Sequence, residues 1–275
     1  MAEDVLQRAD ELAQQVAGEM AGVISFLSVE RAKRPPYPRD RADVDIAATR
    51  VGRMLQLLQA ARLMGRQHFG TAMAPVARAM WETWLDTAWM LREPQTRMER
   101  ATAFWTAGMA QQLGVIRTLH EQDGYLVPEL QAYQTELEGW VKAEPHLYSR
   151  WLDDQAQPKC SVHKVRWTNV NARARAEKMG PMYAKSYGVD YTLLSVSSHG
   201  EGMELPRLIR EVEGATYITV GEGKEAAANL LVLCSGTGLT LVYELQHAYA
   251  GGHSPSIEEL RARIESLSKE CPIII

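Results

Sequence analysis

Apolar residues that recur every three or four positions run through almost every segment of this chain, and that period constrains its fold more than any other feature. In the first segment they fall at Val5, Ala9, Leu12, Val16, Met20, Val23 and Leu27, lining one stripe of a helix. Over 31–41 three prolines remove backbone donors and push their predecessors out of helical space, so a basic loop is expected there. Helical spacing resumes over 43–69 (Ile46, Val51, Leu55, Leu58, Leu63) and is broken by Gly70. Thr71 can cap a third helix carrying Met73, Val76, Met80, Trp84 and Leu91 as far as Pro94. Residues 95–122 and 127–143 read as two more helices, the second with Pro128 in its first turn.

Periodicity weakens over 145–180, where short helices and loops are expected, and a further helix is predicted over 182–199, ended by Gly200 and Gly202. Residues 216–220 alone have strand composition, enough for one small hairpin. The uncharged run 226–243 approaches the length of a membrane span, but Asn229, Ser235, Thr237 and Thr240 interrupt it, and a buried core helix explains it equally well. A last amphipathic helix covers 256–269. The expected architecture is all-α, a single domain over 1–275 built as a bundle of long antiparallel helices. Its parts are an N-terminal helix with the basic Pro-rich loop (1–40), a helical core (41–250), and a C-terminal helix and tail (251–275).

The 275 residues carry 30 Lys and Arg against 34 Asp and Glu, a net charge of −4, which excludes a generic polyanion binder. A chain of this length can bury roughly three quarters of its unfolded surface without covalent staples. Its three cysteines give neither a disulfide framework nor a paired zinc spacing, and the N-terminus opens with acid rather than a basic region and an apolar run. A cytoplasmic location without a secretory signal is the expectation.

Known motifs mostly fail. Gly221-Glu-Gly-Lys224 lacks the earlier glycine and the following hydroxyl of a phosphate-cradling loop. Glu244-x-x-His247 is half of what a helical di-iron site needs, and no second copy exists, so neither a metal nor a cofactor is expected. Two constellations stand out. On the third helix Arg78 and Glu82 share a face with Trp81, Leu85 and Trp89, and apolar Met80, Trp84 and Leu91 occupy the other side. An ion pair so enclosed is expected to be internal, with Glu82→Ala costing about 3–5 kcal/mol by stranding the arginine. Asp86 follows one turn later.

On the helix before Gly200, Tyr187, Tyr191, Ser195 and His199 recur every four residues as a polar seam. Ser195 can bond His199, but same-helix placement supplies no third orienting group, which argues against a serine hydrolase. The helix C-terminus favours charged His199, suited to hold a carboxylate such as Glu82 or an anionic ligand. Between them, Lys159, Lys164, Arg166, Arg173, Arg175 and Lys178 face the single acid Glu177, with Trp167 interleaved. Six cations and a stacking ring suit a groove that tracks a nucleic-acid backbone, the other reading being a solvated helix face.

The order Ala-Arg-x-x-x-Glu (Arg78, Glu82), Trp167, Ala176-Glu-Lys-Met-Gly180, Tyr183 and Tyr191-Thr-Leu-Leu-Ser195-x-x-x-His199-Gly200 resembles an uncharacterised bacterial family, domain of unknown function fifty-six seventy-seven, over roughly residues 45–245. The resemblance implies an all-helical fold in which Arg78, Glu82, Tyr191, Ser195 and His199 meet at a common polar site. That family is similar in turn to the HEPN helical proteins, many of them RNA-cleaving toxins or defence effectors that act through an Arg and a His a few residues apart on one helix. Here the positions preceding His199 are Leu193, Leu194 and Ser195, with no arginine; Arg62 and His68 have the spacing, as chance readily provides in an arginine-rich chain.

The implied function is a bacterial stress or phage-defence protein acting on RNA or a nucleotide, as a metal-independent ribonuclease. Its implied partners are RNA or a nucleotide, an antitoxin or defence-complex subunit, or a second copy, and not a membrane. The reading from a different class is a non-catalytic helical binding or assembly module in which the same residues form a buried network.

Overall fold

The structure is a computed structural model and describes residues 2–35, 38–123, 128–142, 168, 170–191, 194–195, 209–212, 215–218, 223–252 and 254–270. Its helices are α1 (Ala2–Ala32), α2 (Ala42–Arg66), α3 (Ala74–Leu91), α4 (Arg97–Asp123), α5 (Pro128–Lys142), α6 (Ala172–Met179), α7 (Pro181–Ser186), α8 (Lys224–Ala250) and α9 (Pro255–Glu270). One antiparallel hairpin, β1 (Ile209–Val212) with β2 (Ala215–Ile218), pairs Ile209 with Ile218 and Val212 with Ala215. The fold is all-α, with that hairpin close to where strand composition placed it.

The chain packs as two compact units, the first comprising Met1–Arg34, Ala47–Pro94 and Ala172–Ile275, the second Pro35–Ile46 and Gln95–Asn171. In the second unit α4 and α5 pack together through Ala107, Ala110, Leu113 and Ile116 against Leu137, and the Tyr133 hydroxyl donates to Gln112 Oε1 at 2.6 Å.

The first unit is organised on α8, the uncharged run of the sequence. It packs along α1, α3 and α9, burying Ala227, Leu231, Cys234, Gly238, Leu241, Val242 and Leu245. By length and composition α1 and α8 both suffice to cross a membrane, yet the apolar window of α8 is 61% buried inside the protein itself. Hydroxyls on this helix are absorbed internally: Ser235, Thr237 and Thr240 each donate to the carbonyl four residues back. Gly238 sets the closeness of the packing, since a methyl group there would run into Met20 Cε and come 3.4 Å from Val16 Cγ1. The stripe read on α1 is the buried one, from Ala9 through Leu12, Val16, Met20 and Val23 to Leu27.

Two boundaries differ from expectation. The stop of α2 is His68 rather than Gly70. Its φ of 63° places it in the left-handed region, and His68 N–H donates to Gly65 O while Phe69 N–H donates to Met64 O. Those two bonds satisfy carbonyls that the helix end would otherwise orphan. Thr71 is not a cap: residues Thr71–Met73 make a turn of 3-10 helix, and α3 starts from Met73 without a side-chain cap but with Pro75 in its first turn.

Candidate functional site

The site grows from α3, whose apolar residues are spaced so that Trp81, Trp84, Leu85 and Trp89 all fall below a tenth exposed. Arg78 and Glu82, one turn apart, lie where this buried face meets solvent. Arg78 Nε donates to Glu82 Oε1 at 3.1 Å, and the two side chains are 22% and 47% exposed. The enclosed ion pair expected from the sequence is therefore an edge pair. Tryptophans flank it along the helix, but their rings turn inward and leave the Glu82 carboxylate wet.

A second element completes the cluster. The expected continuous helix over 182–199 is instead α7 followed by a π-helical turn, Tyr187–Tyr191. Such turns are rare and favour functional sites. Here tertiary contacts hold it: Tyr187 and Tyr191 stack on each other at 5.0 Å and both lie on Trp81, with ring centroids 5.8 and 4.7 Å away. The Trp81 indole N–H donates to Ser186 Oγ at 2.7 Å, and that hydroxyl donates to Asp190 Oδ2 at 2.7 Å. Burial pushes the Asp190 carboxyl up, with the Ser186 bond and the Lys185 charge opposing it.

The turn delivers Tyr191 to the charged pair from 113 residues away. Arg78 Nη2 donates to Tyr191 Oη at 3.3 Å, Tyr191 Oη donates to Glu82 Oε1 at 3.4 Å, and the guanidinium lies 5.3 Å from the phenol ring centre. Burial works against the charge on Arg78, but Glu82 and Tyr191 together outweigh it and raise its pKa above the ordinary arginine value. Arg78, Glu82 and Tyr191 thus meet as the resemblance implied. Ser195 lies in the short helical piece 194–195, its Oγ buried and without a hydrogen-bond partner among the described residues. His199 lies outside the described residues, as do Lys159, Lys164, Arg166, Trp167, Gly200 and Gly202.

The remaining cations of the basic stretch are placed differently from one another. Arg173 is exposed and bonds Glu177 on its own helix at 2.9 Å, and Lys178 is exposed. Arg175 is 12% exposed and donates to Asp86 Oδ1 at 2.7 Å, while Arg50 from α2 donates to Asp86 Oδ2 at 3.2 Å. This carboxylate bridging two guanidiniums is the buried charge network of α3. Burial pushes the Asp86 carboxyl up; the charges of Arg175 and Arg50 pull it down, Glu82 adds to the rise, and Arg53 opposes it. The sequence placed Asp86 on the right face but offered no signal for partners 36 and 89 residues away.

Behind the aromatic layer, Tyr183 of α7 stacks on Trp84 at 5.0 Å and donates its hydroxyl to Glu244 Oε1 of α8. Burial raises the Glu244 carboxyl, the Tyr183 bond opposing it. The Trp84 indole N–H favours the same charge, without the alignment of a full hydrogen bond. Glu244 is thus engaged by a phenol, and among the described residues no three His, Cys, Asp or Glu side chains gather as metal ligands. Arg62, the arginine with a histidine at close spacing, is buried on α2 and donates to Asp10 and Gln59.

Residues 44–216 match the family of unknown function DUF5677, a span that takes in α3, α6, α7 and the π-helical turn. No curated protein and no solved structure matches the chain.

Proposed function

The chain belongs to this family of unknown function, and on that premise we propose that it acts on RNA or a nucleotide at the edge formed by Arg78, Glu82 and Tyr191, in a cytoplasmic stress or phage-defence role. One observation carries the reading. Three polar side chains from two elements 113 residues apart converge at a surface where the carboxylate remains 47% exposed, held there by a π-helical turn. A pair that served only to brace helices would gain nothing from this, because exposed pairs stabilise by at most about 1 kcal/mol. An arginine fixed against an aromatic ring and a phenol is suited to the phosphate and base of such a ligand. A neighbouring antitoxin, a defence-complex subunit or a second copy is the fitting protein partner.

The test combines RNA degradation, RNA binding and host growth on induction for the wild type and for His199→Ala, Tyr191→Phe and Glu82→Ala. The proposal expects the variants to lose toxicity or RNA action while remaining folded. A wild type that is folded, harmless and inert towards RNA, with His199→Ala merely melting earlier, would leave the non-catalytic binding module. That second reading is favoured by the Asp86 network, which ties α2, α3 and α6 together as a brace.

A further inference from the structure

Four arginines and two carboxylates gather along one side of α3. Arg78 and Glu82 answer each other, and Asp86, one turn on, is saturated: Oδ1 takes Arg175 and Oδ2 takes Arg50. Arg53, one turn beyond Arg50 on α2, is close enough for its charge to bear on both Arg50 and Asp86, yet it is exposed and makes no ion pair among the described residues. Setting four cations against two anions leaves an excess of two positive charges at this face. The excess is not diluted by solvent, for Arg50 and Arg175 are each only 12% exposed. Burial lowers Arg50 below the ordinary arginine range, Asp86 opposes this, and the like charges of Arg53 and Arg175 add to it.

Clustered guanidiniums with limited hydration are costly unless an anion joins them. A lone carboxylate already occupies the inner side. What remains is the outer side, where the exposed Arg53 meets the accessible edges of Arg50 and Arg175. Guanidinium forks match the oxygens of a tetrahedral oxyanion, and a phosphate brings enough charge and acceptors to engage more than one of them.

We propose that Arg50, Arg53 and Arg175 form a phosphate subsite, adjacent to the Arg78–Glu82–Tyr191 edge, for the phosphate of its ligand. The proposal rests on the reading of that edge as a site for RNA or a nucleotide, and it names the group that is gripped. Asp86 repels the incoming phosphate, but it also holds two of the three forks in fixed orientation, so little side-chain freedom is lost on binding.

The experiment titrates the full-length protein calorimetrically with inorganic pyrophosphate, with a nucleoside triphosphate and with a short single-stranded RNA, at two salt concentrations. Arg53→Ala, an exposed position that leaves the Asp86 bridge intact, is expected to weaken all three by about tenfold or more. For RNA it should also reduce the slope of log affinity against log salt by about 0.7, one phosphate contact for a single strand. Arg53→Lys should recover part of the affinity, and Lys269→Ala, an exposed cation of α9, should change nothing.

The ligand source follows from whether the triphosphate or the RNA binds more tightly. Pyrophosphate binding that is lost in Arg53→Ala, in a protein that binds neither nucleotide nor RNA, would support the subsite and defeat the reading of the edge. RNA binding that falls in Tyr191→Phe but not in Arg53→Ala would keep the edge and overturn the subsite. Failure of the wild type to bind any of the three probes overturns the subsite, as does pyrophosphate binding indifferent to Arg53→Ala.

Discussion

Glu82 and Asp86 are carboxylates one turn apart on the same helix, both beside arginines and both flanked by tryptophans, and the protein uses them oppositely. Glu82 is 47% exposed and shares one arginine and one phenol at the surface. Asp86 is 20% exposed and bridges two arginines that are themselves buried. The difference comes from what packs over each: the Tyr187–Tyr191 turn covers Trp81 and stops short of Glu82, whereas α2 and α6 deliver Arg50 and Arg175 onto Asp86. Spacing on one helix therefore settles which residues share a face, and neighbours settle which of them are available for chemistry.

The sharpest way to break this contrast is Asp86→Ala. Removing the shared carboxylate strands two buried guanidiniums, and a loss of about 3–5 kcal/mol is expected in urea or thermal unfolding. A loss below about 1 kcal/mol would mean the network is no brace.

Asp10 on α1 provides an internal control, since it too takes two arginines, Arg62 and Arg66, but nearer solvent. Burial acts to raise its carboxyl, yet the bonds and charges of both arginines outweigh that and hold it below the usual aspartate range. Asp10→Ala is expected to cost about 1–3 kcal/mol, less than Asp86→Ala, because Arg62 keeps Gln59. A lowered folded pKa contributes stability above the ordinary value of about 3.9 and loses it as pH falls through the folded value. The gap between wild type and Asp10→Ala should accordingly shrink in acid; a gap that holds constant to low pH would show that Asp10 is not ionically engaged.

Glu244 sharpens the comparison from the other direction, being a buried carboxylate with a phenol but no arginine bonded to it. Its folded pKa is raised, so its favourable contribution is complete below the ordinary glutamate value of about 4.3 and is lost as pH rises through the folded value. Glu244→Gln, neutral throughout, should gain on the wild type by about 1–2 kcal/mol between acid and neutral pH, read from melting temperature across that range. A difference that does not change with pH would show that Glu244 is ionised and satisfied in the fold.

How much of this the sequence carried depends on how local each cause is. The α1 stripe, the uncharged α8 and the Pro128 start of α5 follow from periodicity and proline chemistry within a few residues. The pairing of Arg78 with Glu82 was equally local, and the resemblance brought Tyr191 to it. The Asp86 bridge depended on Arg50 and Arg175, which no spacing rule connects to α3. The π-helical turn was hidden for a related reason: Tyr187-Gly-Val-Asp-Tyr191 carries no local mark of it, and its rings are set by Trp81 more than a hundred residues earlier. Exposure of Glu82 was misjudged because flanking tryptophans on a helix do not say which way their rings turn.

The central claim is that the Arg78–Glu82–Tyr191 edge is a site and not a brace, and equilibrium denaturation of Glu82→Ala tests it most directly. The account predicts a loss of at most about 1 kcal/mol, since a half-exposed pair in water contributes no more than that. A loss of about 3–5 kcal/mol, the cost of stranding a buried arginine, would contradict it and return Glu82 to the structural network.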